Sequence, residues 1–394
     1  MEELQAGVHV MVSCEPCENQ LAGYRVARTV PYYEGLREKF MKQDVIDALS
    51  GKFPRKIPSK ETLNHPGIIN HVAGFDVFEN TPRAFDLGWE KLGIDIHTPL
   101  PQENAARPKV PGGTWEEDGW QYSDYGVFPT RMPIEYQPDA CGDVVEQAFQ
   151  YDVSSDDFDL ADRIASLREM NNAFRAHFRE RAVMYDLYYT TLFMWPVETF
   201  GWEPFLMAAA TDPERFERVL WEPWARVSRK QFEALAAIDE EVIFCHDDIA
   251  MTSGPVFRPD FYEKYIFSRY EWIMQPVLDA GKKVVFVSDG NIEVFLDRLL
   301  QLPISGIMFE NPATPFERVL ETWGAAQRGF IGGISTSILT LGTPEEVRTH
   351  TREVIEKGSR YPGFIISSCG QLPGNIPMDN ILAYFQMRDE MGIP

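Results

Sequence analysis

The feature that most constrains this fold is a rhythm that sets in near residue 156 and runs to the end of the chain. Short apolar runs rich in Val, Ile and Phe alternate with amphipathic helical stretches. A helix over 156–178 leads to AVMYDLYY (182–189), and helices over 203–209 and 212–236 come after it. The second of these opens with the cap-like Thr211-Asp212-Pro213-Glu214. Next come EVIFCHDD (241–248), a helix over 259–280, KKVVFVSDGN (282–291) and a helix over 293–301. SGIMFENP (305–312), a helix over 315–325, RGFIGGIS (328–335), a helix over 344–357, GFIISSCG (363–370) and a helix over 378–391 complete the series. Runs this short and this uniformly apolar belong to parallel strands covered on both faces. With so many consecutive units and no GxGxxG fingerprint, the pattern favours a closed barrel over an open dinucleotide-binding sheet.

The expected architecture is therefore a distorted (β/α)8 barrel of the TIM type. Residues 1–55 are expected to be a lead-in and 56–394 the barrel. A first strand is expected near IPSKETL (57–63), then a capped helix at Thr81–Leu92 and GIDIHTPL (93–100). Asp, Pro and Gly fill 101–145, with Trp115, Trp120, Tyr122 and Tyr125 among them. Those aromatics need something to pack on, so the segment reads as an insertion, not a linker.

A formal net charge of -23 excludes a polyanionic partner such as nucleic acid, because no Lys/Arg run offsets it. Five cysteines make no disulfide framework, and their odd number fits a reducing compartment. The start MEELQAGVHVMVSCEPC has acidic residues where a signal peptide needs basic ones. No apolar stretch approaches the roughly 20 residues of a membrane span. A cytoplasmic protein with no membrane contact is expected, and pairing with a second copy is left open.

The chemistry is carried by the polar residues at the ends of the apolar runs. Cys245-His246-Asp247-Asp248, Ser288-Asp289-Gly290-Asn291, Glu310-Asn311, Gly332-Gly333 and Ser368-Cys369-Gly370 occupy strand ends. In a parallel barrel these collect on one rim, where active sites form. Gly290, Asn291, Asn311 and Ser335 are readily explained as turn residues and helix caps. Turns and caps do not call for a Cys, or for a His with two carboxylates after it. Alternation puts Val285, Val287 and Asp289 on one face, and Ile365, Ser367 and Cys369 on another. Thiolate, imidazole and carboxylate together are the ligand set of zinc. Cys14 and Cys17 have metal spacing but no second pair, and His65, His71 and His97 read as capping or core residues. The aromatics Tyr185, Tyr188, Tyr189, Phe193 and Trp195 either pack or wall a substrate pocket.

At these residues the chain resembles the uroporphyrinogen decarboxylase superfamily over roughly 55–394. The resemblance is carried by HDDIAMTSGPVFRPDFYEKYIFSRY (246–270), VSDGNIEVFLDRLLQLPISGIMFEN (287–311), IGGISTSILTLGTPEEVRTHTREVI (331–355) and NIPMDNILAYFQM (375–387). It implies a distorted (β/α)8 barrel. The porphyrinogen decarboxylases carry an early arginine-rich signature, and RKIPSKETLNHPG (55–67) lacks it. Another branch moves methyl groups to or from a corrinoid protein with zinc held by a His-x-Cys…Cys pattern. Here Val287-Ser288-Asp289 stands in that pattern, with Cys369 at the last cysteine. The harder ligand set suits demethylation of a methoxylated or N-methylated donor such as an aromatic methyl ether.

The resemblance thus implies a zinc-dependent methyltransferase delivering a methyl group from a small methylated substrate to the Co(I) corrinoid of a partner protein. The zinc ligands are expected from His246, Asp289, Cys369 and Glu310, with Asp247, Asp248 or Glu310 as acid or ligand-orienting group. Tyr185, Tyr188 and Trp195 are the expected pocket wall. The alternative is a metal-independent decarboxylase or other lyase in which Asp289 and Glu310 move protons.

Overall fold

The structure, a computed structural model, describes residues 42–99, 101–133, 143–177 and 181–391. Cys14 and Cys17 lie outside the described residues, as do the side chains of Tyr188 and Cys369.

Strands β1 (Ser59–Leu63), β2 (Ile96–His97), β6 (Ala182–Val183), β7 (Tyr185–Tyr188), β8 (Val242–His246), β9 (Lys283–Ser288), β10 (Gly306–Phe309), β11 (Gly329–Gly333) and β12 (Phe364–Leu372) form one parallel sheet. Its order is β6-β2-β1-β12-β11-β10-β9-β8-β7. The two ends of that order, β6 and β7, are pieces of one stretch of chain separated only by Met184. Ala182 and Val183 pair with β2 while Tyr185–Tyr188 pair with β8, so the sheet closes on itself with eight staves. Closure removes both sheet edges. The chain is a distorted (β/α)8 barrel, and the alternation that pointed to it is present in every unit from β7 onward.

Two apolar layers result from the period of two along each strand. Ile96, Ala182, Met184, Val242, Phe244, Val285, Val287, Met308, Ile331 and Ile365 fill the barrel interior. The intervening residues, among them Ile243, Cys245, Val284, Phe286 and Ile307, pack outward against the helices. The same inner cluster includes Val45, Ala48 and Leu49, from helix Lys42–Ala48 and the residue after it. The described end of the N-terminal lead-in is therefore the plug of the barrel's lower mouth. Glycine at 329 makes room for this plug, because a Cβ there would lie 2.6 Å from a Leu49 methyl group and 3.0 Å from Ser305 O.

The insertion folds as a small antiparallel sheet, β3 (Thr114–Glu117), β4 (Trp120–Ser123) and β5 (Thr130–Pro133), with Trp115 stacked on Tyr122 at 4.8 Å. It is fastened to the upper rim through Asn64, the residue after β1. The Asn64 amide donates to Phe128 O (2.9 Å) and to Gln371 Oε1 (2.7 Å), and its Oδ1 accepts the Phe128 N–H at 2.7 Å. The insertion thus bridges the exits of β1 and β12.

Candidate metal centre at the barrel mouth

His246 ends β8 in phase with Val242 and Phe244, so its imidazole continues the inward-facing row. Asp289 lies one residue beyond β9, in phase with Val285 and Val287, and Glu310 one beyond β10, in phase with Met308. Asp248 lies past the end of β8, where the chain has left the alternation, and turns back over the mouth. Donor atoms of His246, Asp248 and Asp289 all lie within 4.8 Å of one another.

Several contacts hold this cluster. The Asp289 backbone N–H donates to Asp248 Oδ1 at 2.7 Å, and His246 Nε2 lies 3.4 Å from the same oxygen. The Tyr189 hydroxyl donates to Asp248 Oδ2 at 2.5 Å, and its ring meets the His246 ring edge-on at 5.0 Å. Tyr189 adopts φ 59°, a left-handed backbone uncommon for an aromatic residue and concentrated at functional sites.

Burial, reinforced by the negative charge of Asp248, pushes the Asp289 carboxyl up to about 7, against the opposing pull of His246. Asp248 is also buried, and burial alone would raise it. The His246 ring, the Tyr189 hydroxyl and the Asp289 N–H outweigh that and hold it below the usual carboxylate range. Two carboxylates of opposite tendency, packed against an imidazole, form a site that a cation would relieve.

Glu310 is not one of this group of three. Its Oε1 accepts the Thr336 hydroxyl at 3.1 Å, and its charge adds to the upward push on Asp289.

Three expectations need correction. Asp247 does not share the mouth with its neighbour His246, because successive strand residues face opposite ways. Its fully buried carboxylate points into the helical layer and accepts the N–H groups of Leu192 (3.1 Å), Phe193 (2.7 Å) and Met194 (2.7 Å) and the Tyr270 hydroxyl (2.7 Å). Burial nevertheless raises it to about 6. Tyr185 faces outward for the same reason and donates to Asn171 Oδ1 at 3.0 Å. Trp195 is buried against Trp224, with ring centroids 5.9 Å apart, in the layer between sheet and helices. Neither aromatic walls the mouth.

The residues read as turns and caps do that work. Ser335 caps helix Thr336–Leu341, and Asn311 Nδ2 donates to Gly333 O at 2.7 Å. His65 caps helix Pro66–Ala73 and bonds Ile376 O, while His97 is buried beside Trp89. Two inward or buried charges were not singled out from the sequence, Lys60 and Glu61 of β1. Lys60 Nζ donates to Thr62 Oγ1 at 2.7 Å, and its charge lowers Asp289 slightly. The available signal was the polarity of SKETL, a strand that is otherwise out of character with its apolar fellows.

Comparison with known proteins agrees with the fold. Residues 197–391, which include β8 to β12 and thus His246, Asp289, Glu310 and Cys369, match the uroporphyrinogen decarboxylase (URO-D) family. The chain belongs to the uroporphyrinogen decarboxylase superfamily. A solved methyltransferase from Methanosarcina mazei superposes with a TM-score of 0.59 over 90% of this chain and 100% of its own, at 17% identity. That likeness is one of fold. No curated protein matches the chain in sequence. Within the superfamily fold, the cluster His246–Asp248–Asp289 sits at the carboxyl ends of the strands, the rim on which (β/α)8 enzymes place their chemistry. Among the described residues, no helix is long and apolar enough to cross a membrane.

Proposed function

We propose that this protein is a zinc-dependent methyltransferase that moves a methyl group from a small methylated donor, such as an aromatic methyl ether, to the Co(I) corrinoid of a partner protein. The observation that carries the reading is the convergence of His246, Asp248 and Asp289 at the barrel mouth. One imidazole and two carboxylates are donors that zinc accepts. Ligands at roughly 2 Å from a common ion lie within about 4 Å of one another, so the cluster needs only a slight contraction to hold one. In this reading Cys369 completes the set. The methyltransferase name of the Methanosarcina mazei structure supports the same branch of the superfamily.

Bound zinc would supply Lewis-acid stabilisation of the charge that develops on the donor's heteroatom as the methyl group departs. The chain's own residues arrange the rest. Tyr189 and the Asp289 N–H fix Asp248, and the Tyr189 ring packs edge-on against the His246 ring. Glu310, held by Thr336 at the next strand end, delivers the proton that the departing oxygen takes up. The O–CH3 bond breaks with its electron pair left on oxygen, and the Co(I) pair forms the new Co–CH3 bond.

One observation favours a second reading. Adjacent carboxylates pushed in opposite directions, Asp289 to about 7 and Asp248 downward, are what metal-free proton transfer by a lyase needs. Metal content and activity separate the two. Purified protein is expected to carry near-stoichiometric zinc, to lose most of it in His246→Ala and Asp289→Ala, and to methylate a reduced corrinoid protein from a methyl ether. Metal-free protein that decarboxylates substrates and leaves the corrinoid unmethylated would sink the methyltransferase reading in favour of the lyase.

A further inference from the structure

The pairing of β1 with β12 contains an irregularity that falls on one residue of the proposed site. Ser59 pairs with Ile366 and Lys60 with Ser367, but the next partners are Thr62 with Gln371 and Leu63 with Leu372. Glu61 alone therefore stands opposite Ser368, Cys369 and Gly370, two residues more than a regular ladder allows. Cys369 is the middle residue of the bulge.

Glu61 fills the gap in the ladder with its side chain. It is fully buried, and its Oε1 accepts the Ser368 N–H at 3.0 Å while Oε2 accepts the Ser368 hydroxyl at 2.5 Å. The Tyr384 hydroxyl, from helix Met378–Glu390, donates to Oε1 at 2.6 Å. One carboxylate thus replaces a missing ladder bond and ties the bulge to the closing helix.

This arrangement is costly. Burial raises the Glu61 carboxyl, and two extra residues interrupt a central parallel pair. A regular ladder over an apolar residue would hold the two strands together at less cost. Bulges gather next to active sites because they re-aim what they carry.

We propose that Glu61 is a positioning residue that, with Ser368 and Tyr384, fixes the β12 bulge so that Cys369 is presented to the metal centre. The proposal rests on the zinc reading for its purpose, but the bulge itself can be tested without metal. The variants are Glu61→Ala, Glu61→Gln, Ser368→Ala and Tyr384→Phe in the full chain. Gln keeps a carbonyl at Oε1 for Ser368 N–H and Tyr384, and offers an N–H to the Ser368 oxygen, so it is the rescuing substitution. Tyr384→Phe and Ser368→Ala each remove one bond and keep the packing, which covers the case in which Glu61→Ala does not fold.

Two readouts address the bulge: amide exchange of the peptide covering β12, and the rate at which iodoacetamide alkylates Cys369, mapped by mass spectrometry. A third addresses the site: affinity for Co(II) and the thiolate-to-cobalt absorption band. Glu61→Ala, or the two milder variants, is expected to exchange about tenfold faster at 368–370, change Cys369 alkylation and lower Co(II) affinity by about tenfold or more, as loss of a supporting shell does. Glu61→Gln is expected to restore most of each. Wild-type exchange and alkylation in folded Glu61→Ala, Ser368→Ala and Tyr384→Phe would overturn the positioning role. A wild-type Co(II) complex with no thiolate band, or Cys369→Ala binding Co(II) as tightly, would instead overturn Cys369 as a ligand, with exchange and alkylation still deciding the role of Glu61.

Discussion

Asp247→Asn is the substitution on which sequence and structure disagree most directly. A carboxylate next to His246 at a strand end looks like an acid or a ligand-orienting group. Its replacement would then cost turnover and spare the fold. The structure shows four donors converging on this one buried carboxylate. Oδ2 takes Leu192 N–H, Phe193 N–H and the Tyr270 hydroxyl, and Oδ1 takes Met194 N–H. The better of the two amide orientations leaves the Asn oxygen with the first three. The amide nitrogen then meets the Met194 N–H, donor against donor. An orphaned buried N–H and an unsatisfied amide each cost about 1–3 kcal/mol, so the total is about 2–6 kcal/mol. Against the usual total of about 5–15 kcal/mol this is large. Urea unfolding monitored by tryptophan fluorescence at pH 7.5 measures it, with an unchanged m-value as the sign that stability alone moved. Any loss of methyl transfer should track the folded fraction and the placement of loop 191–194. A variant with wild-type unfolding and a turnover reduced about a hundredfold would refute the reasoning, and would return Asp247 to the chemistry.

The same geometry sets further outcomes. On the zinc reading, the ion must displace the proton from Asp289, whose carboxyl is pushed up to about 7 by burial. Affinity should therefore fall by at least about tenfold for each pH unit below that value, since every other ligand must also be unprotonated to bind. Equal affinities at pH 5.5 and 7.5 in competition titrations would contradict this. Glu310→Gln should leave the thermal melt within about 1 °C and cut kcat and kcat/KM together by about a hundredfold, the size of general-acid help. Full activity in steady-state methyl transfer would remove Glu310 from the mechanism. Gly290→Ala should cost about 2–4 kcal/mol, because its φ is +76° and a Cβ would lie 2.2 Å from Ala250 O. An unfolding free energy within 1 kcal/mol of wild type would show that the loops after β8 and β9 yield easily.

The barrel and most of its rim were legible because both depend on local periodicity. An apolar run flanked by helices has one economical home, and alternation then says which side chain at its end faces the interior. That logic places His246, Asp289 and Glu310, and applied strictly it also sends Asp247 and Tyr185 outward. It stops where the strand stops. Asp248 lies past the end of β8, and only long-range partners, Tyr189 and the Asp289 N–H, bring it over the mouth. The anchoring of the insertion was hidden for a similar reason, since Asn64 meets Phe128 and Gln371 across large sequence separations. The β12 bulge is the sharper case. A one-residue bulge would have inverted the phase of everything after it. Two extra residues restore the phase, so Gln371 has the same register face as Ser367 and the sequence pattern shows no break. A polar residue where the strand should be apolar is the trace that such an event leaves. Glu61 is that residue, and its burial in a strand whose companions are apolar marks the irregularity that periodicity cannot reveal.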